Sequence, residues 1–238
     1  MHDPYSPPPP QPGTAREFDT FGRAWDILKP HLATWVVAYA FYLFIFFLSN
    51  RFDNLWAEVT HPNLAVDLFL TFCGYAVSSF VVTFVTCGLY RMGINHVKNG
   101  QPNLNDLFSV SDVIPAIFLS GLLLPIAIVF GLVFCIVPGI MIAGVTLFVD
   151  PLIVDKRMGF FEAVRASYAA LSHDFLAASF FVVRLIIFTL AGALACLVGL
   201  LVTGPLGILA TALLYQEFFG DGVTAGNGWQ PDVEEPRA

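Results

Sequence analysis

Val137-Pro138-Gly139-Ile140 opens an uncharged run that reaches Phe148-Val149-Asp150-Pro151-Leu152-Ile153-Val154-Asp155-Lys156-Arg157, and Met158-Gly159-Phe160-Phe161-Glu162-Ala163 then leads on to Ser172. This stretch decides the fold. Pro138-Gly139 is a turn signal inside apolar sequence. Asp155-Lys156-Arg157 is a polar border. Beyond it, Phe160, Val164, Tyr168 and Leu171 recur at helical spacing on one side, with Glu162, Arg165, Ala169 and Ser172 on the other. The pattern predicts a membrane hairpin that returns to a polar surface and empties into a helix lying in the interface over 159–172.

Composition agrees with that reading. Of 238 residues, 57% are hydrophobic and only 12% charged, where a soluble chain carries about 25% charged residues. The main solvent is therefore lipid, and the bilayer is the first expected partner. The net charge of −7 comes partly from the acidic C-terminal segment. No basic face for nucleic acid is present. Cys73, Cys87, Cys135 and Cys196 all lie in apolar runs without a C-x-x-C pair. They read as buried thiols rather than a disulfide framework or metal site.

Working outward, no charge falls between Asp112 and Asp150. As one helix this run would measure about 55 Å, nearly twice a hydrocarbon core. It must turn, and Pro138-Gly139 is its strongest breaker. The spans on either side are 113–136, kinked at Pro125, and the short 140–154. Upstream, spans are expected at 32–48 and 64–90, with a polar loop over 50–63. Downstream they fall at 174–201 and 205–219, joined by a turn at Thr203-Gly204-Pro205. Phe18, Phe21, Trp25 and Leu28 share one face of a second interfacial helix over 18–29, with Trp25 suited to headgroup depth.

The expected fold class is an all-α polytopic bundle of six spans and two interfacial helices, occupying 16–219. Residues 1–15 are Pro-rich, residues 220–238 are acidic, and both read as disordered cytoplasmic tails. With six spans, Arg16, Arg23, Lys29, Arg91, Lys98, Lys156, Arg157, Arg165 and Arg237 fall on one side, Arg51 on the other and Arg184 inside a span. By the positive-inside rule both termini are cytoplasmic. A weak internal repeat accompanies this order: interfacial helix, span, span occurs once from Phe21-Gly22-Arg23-Ala24 and again from Phe160-Phe161-Glu162-Ala163.

Pro138-Gly139-Ile140, the run ending Leu152-Ile153-Val154-Asp155, and Glu162-Ala163 followed by Ser167 resemble the core pattern of a broad group of bacterial six-span proteins. The group includes the membrane domain attached to some glycerophosphodiester phosphodiesterases, and many stand-alone proteins without an assigned role. The resemblance covers roughly 18–219 and implies a six-helix fold in the inner membrane. It supplies no catalytic residue, and the phosphodiesterase activity itself is not carried over.

Charged residues inside the spans are the best functional handles. A lone Arg at the centre of a span costs about 2.5–3.5 kcal/mol on insertion scales, so Arg184 calls for a partner. Asp150 lies five residues beyond the Asp155 border, about 7.5 Å at helical rise. An Arg184–Asp150 pair is therefore expected to tie the fifth span to the fourth. His31, His96 and His173 fall near one border but read as single interfacial histidines. No catalytic constellation, cofactor loop or metal motif is found. The expected role is a structural or interaction protein, or one serving membrane homeostasis, in a homo-oligomer or larger membrane complex. The alternative is a small-solute or ion transporter or channel subunit using the Arg184–Asp150 core. A lipid-modifying enzyme drawing on Asp155, Glu162, His96 and His173 ranks last.

Overall fold

The computed structural model describes residues 14–58, 63–172 and 175–220, and among these the chain is all-α. The helices are α1 (Thr14–Leu28), α2 (Leu32–Glu58), α3 (Leu64–Asn99), α4 (Ile114–Phe134), α5 (Ile136–Val145), α6 (Val149–Lys156), α7 (Phe160–Leu171), α8 (Phe175–Leu194) and α9 (Cys196–Phe219). Six stretches are long and apolar enough to cross a bilayer: α2, α3, α4, α5 with α6, α8, and α9. The protein is a multi-pass membrane helix bundle. The outer surfaces of the spans carry the residues that lipid tolerates, among them Phe44, Phe134 and Leu194, the last 88% exposed. Residues 1–13 and 221–238 of the expected tails, and His173, fall outside the described residues, while α1 begins at Thr14, two residues inside the expected N-terminal tail.

Hairpins pair α2 with α3, α4 with α5, and α8 with α9. One border gathers the start of α2, the ends of α3, α6 and α9, and both α1 and α7. There Trp35 Nε1 donates to His96 Nδ1 at 3.0 Å, and Arg23 of α1 meets Glu217 of α9 at 2.7 Å. The core has two lobes that share α9. In one, α6 buries Phe148's neighbours Val149, Leu152 and Ile153 against α3, α4, α7 and Tyr215. In the other, Ala24 and Leu28 of α1 pack with Trp35, Met92 and Leu209.

Several boundaries depart from the sequence expectation. The polar stretch after residue 48 is no loop at first: α2 continues to Glu58. Likewise α3 runs beyond Arg91 to Asn99 and ends at Gly100, whose φ of 74° is left-handed. Neither extension contains a proline, and the glycine in the second, Gly93, is packed against Ile208 and Ala212 of the last helix. The third and fourth spans separate at Cys135, which is extended, and not at Pro138-Gly139. Pro138 instead lies in the first turn of α5, where its missing N–H costs nothing, and Gly139 lets α5 press against Leu132 of α4. The fifth and sixth spans separate at Ala195, and Thr203-Gly204-Pro205 lies inside α9, where Gly204 makes room for the Tyr39 ring. Proline and glycine break helices in water, but membrane neighbours tolerate them. The fourth span is itself two helices, interrupted at Thr146-Leu147-Phe148.

The interfacial helices lie where expected, with altered faces. On α7, Phe160, Ala163, Ser167 and Leu171 are buried, whereas Phe161 and Tyr168 are exposed at 65% and 60%. Tyr168 therefore faces outward with Arg165 rather than inward with Leu171. On α1, Thr20, Ala24 and Leu28 are buried and Trp25 faces outward, at the depth an indole prefers.

Close backbone approach fixes the joint between α3 and the turn at Leu104–Phe108. Gly88 abuts the Leu107 backbone, and any Cβ there would overlap it. Gly88→Leu should lower stability by about 1–3 kcal/mol, the usual range for overpacking. Gly22→Ala, with open space around it, should cause no loss. Thermal melts of the detergent-solubilised protein measure both.

Candidate functional site

The polar chemistry of the bundle falls in two layers. The first lies at the border where the charged side chains collect. Asp155 ends α6 with its side chain only 11% exposed. It receives Lys98 Nζ at 2.8 Å from α3 and the Tyr215 hydroxyl at 2.9 Å from α9, with Lys156 Nζ at 3.9 Å. One carboxylate thus joins three helices. A second, Asp112, takes Arg91 at 3.3 Å and Arg157 Nε at 3.0 Å. Arg91 also donates to the Ser109 carbonyl at 2.8 Å, and Asn95 donates to Asp106 at 2.9 Å. Arg157 adopts φ 55°, a left-handed conformation that costs a non-glycine residue roughly 1–2 kcal/mol. That geometry ends α6 while its guanidinium is held by Asp112.

The second layer lies within the bilayer, around the interruption of the fourth span. A break in a helix orphans backbone groups that hydrocarbon cannot satisfy. Ser167 of α7, fully buried, answers both sides of the gap. Its hydroxyl donates to the Val145 carbonyl at 2.7 Å and accepts from the Phe148 N–H at 3.2 Å. Thr146 folds its own hydroxyl back onto the Ile142 carbonyl at 2.7 Å. Gly144 at the same level packs against the backbone and hydroxyl of Ser179, so α8 closes tightly over the break. Just past it, Asp150 accepts a hydrogen bond from Ser120 Oγ of α4 at 2.5 Å.

Asp150 is met by α4 through Ser120, and no ion pair between Asp150 and Arg184 is found among the described residues. Because the fourth span breaks at residues 146–148, α6 packs against α3, α4 and α7, while α5 takes the contact with α8. The motif positions separate accordingly. Asp155 is the border hub, Ser167 bridges the break, and Ala163 is buried in the lobe that holds α6. Glu162 is exposed in the first turn of α7, where the helix dipole favours a carboxylate. Pro138 and Gly139 serve the distant α4–α5 turn. His31 and His96 do meet, edge to face with centroids 5.0 Å apart. Among the described residues, no group of three or more His, Cys, Asp or Glu side chains is placed to hold a metal.

Sequence reasoning missed Ser120, Lys98 and Tyr215. Ser120 is a lone hydroxyl in an apolar run and carries no signal. Lys98 and Tyr215 are marked only by their nearness to a span end. Comparison with protein families, with characterised proteins and with solved structures finds no match.

The Asp155 hub is testable as a coupled unit. Asp155→Asn and Lys98→Met, singly and together, should show a coupling of about 0.5–3 kcal/mol, as contacting residues do. Thermal or denaturant unfolding in detergent reads it, and strict additivity would show that the two side chains act independently.

Proposed function

We propose that this protein is a non-catalytic helical scaffold of the bacterial inner membrane, with both termini in the cytoplasm and a structural, interaction or membrane-homeostasis role. One observation carries the reading. The polar side chains join helix to helix: buried Ser167 to the broken span, Ser120 to Asp150, Trp35 to His96, and exposed Lys98 with buried Tyr215 to Asp155. Chemistry on a substrate would need such groups turned toward a shared site. The orientation rests on charge. Arg23, Lys29, Arg91, Lys98, Lys156, Arg157 and Arg165 lie at one border and Arg51 at the other, the bias of a cytoplasmic face. The interfacial helices α1 and α7 both lie at the basic border and suit a protein that acts on or through the inner leaflet. Similarity to the six-span group with the phosphodiesterase membrane domain fits this role, and a homo-oligomer or a larger membrane complex is its natural setting.

A transporter or channel subunit is the second reading. The interruption at Thr146-Leu147-Phe148, with the Asp150 carboxylate beside it, favours that class, because carriers place their sites at broken helices.

Thiol accessibility separates the two. With the native cysteines replaced by Ala, Ser120→Cys, Thr146→Cys and Ser179→Cys should react with a membrane-impermeant thiol reagent far more slowly than Arg51→Cys. Fast labelling at all three from either side would establish an aqueous path and replace the scaffold with the carrier.

A further inference from the structure

The border that carries Arg51 has a feature the scaffold reading does not use. Between α2 and α3 lies a groove of about 380 Å³, within the range of small-molecule pockets. Its walls are apolar, with Leu48 and Phe52 from α2 and Val77 and Val81 from α3, and Arg51 stands among them. Leu48, Phe52 and Val77 are each about half exposed, so the groove opens sideways toward lipid. Arg51 lies 19 residues along α2 from Leu32, about 29 Å at helical rise, which is the thickness of a hydrocarbon core. Measured along α2, Arg51 thus lies about one hydrocarbon thickness from the basic border, and Leu48 lines the groove one turn closer to that border.

The charges of the two borders differ. Arg23, Lys29, Arg91, Lys98 and Arg157 each hold a carboxylate of this chain. No ion pair to Arg51 is found among the described residues. An arginine fork at that depth matches a phosphate bidentately, and the groove beside it takes an alkyl chain. We propose that the α2–α3 groove binds one anionic phospholipid, its acyl chain against Val77 and Val81 and its phosphate on Arg51. A zwitterionic lipid brings its own ammonium group, so only a headgroup with net negative charge completes the complement.

The test titrates the detergent-purified protein with phosphatidylglycerol or phosphatidylcholine of identical chains and counts retained lipid by native mass spectrometry. Wild type should hold one phosphatidylglycerol with a preference of about tenfold or more, the worth of a charge-assisted hydrogen bond. Arg51→Gln should abolish that preference while leaving residual binding of both lipids, and Arg51→Lys, which keeps the charge but not the fork, should keep only part of it. Val77→Trp, which fills the groove from an exposed position, should remove both lipids. Equal retention of the two lipids by wild type, or an unchanged preference in Arg51→Gln, overturns the proposal. So does a Val77→Trp variant that still retains phosphatidylglycerol, since the chain would then lie elsewhere. Neither result bears on the scaffold reading, which rests on the opposite half of the bundle.

Discussion

In hydrocarbon a peptide group has no water to turn to, and every N–H and C=O must be satisfied by the protein. That constraint governs this bundle most visibly where a span is interrupted. The break at Thr146-Leu147-Phe148 lies eight residues from Lys156, about 12 Å inside the border. Ser167 spans it with one hydroxyl, giving a hydrogen bond to Val145 and taking one from Phe148. Its helix, α7, is thereby more than an amphipathic strip resting on the membrane. It is the piece that completes a transmembrane segment, and its small buried residues Ala163 and Ala166 let it lie close enough to do so.

The same border explains why the rest of the assembly holds its register. Asp155 draws α3, α6 and α9 together, Asp112 draws α3 to the end of α6, and Glu217 holds α1. These ties sit at headgroup level, partly shielded from water, where charge pairs are worth more than on an open surface. The opposite half of the bundle is fastened by van der Waals packing and by small residues such as Gly139 and Gly192. The two halves thus suit different tasks: a locked basic face, and a looser apolar face open to lipid.

Hydropathy alone made the bundle legible. Six crossings, two interfacial helices and the polar border at Asp155 follow from the spacing of charges and apolar runs. Connections were harder, because the strongest breakers in the sequence are not where the chain turns. Pro138-Gly139 and Thr203-Gly204-Pro205 are packing devices, while the turns fall at Cys135 and Ala195, which carry no local signal. The side-chain partnerships were hidden for a further reason. Ser167 stood out as a motif position, but its role depends on a break upstream that no residue announces. Asp150 stood out as a buried charge, and the only formal opposite in the spans, Arg184, suggested itself. The hydrogen bond that meets Asp150 comes from a serine on another helix, and a hydroxyl in an apolar run leaves no trace in composition or charge.

The central claim is that one hydroxyl completes a broken membrane span. Hydrogen exchange at the Phe148 amide, read with the melting temperature of Ser167→Ala in the same detergent, tests it most directly. The variant should be less stable by about 1–3 kcal/mol for a buried polar group left unsatisfied, and the Phe148 amide should exchange much faster than in wild type. A variant that melts with wild type and protects Phe148 equally well would contradict the account.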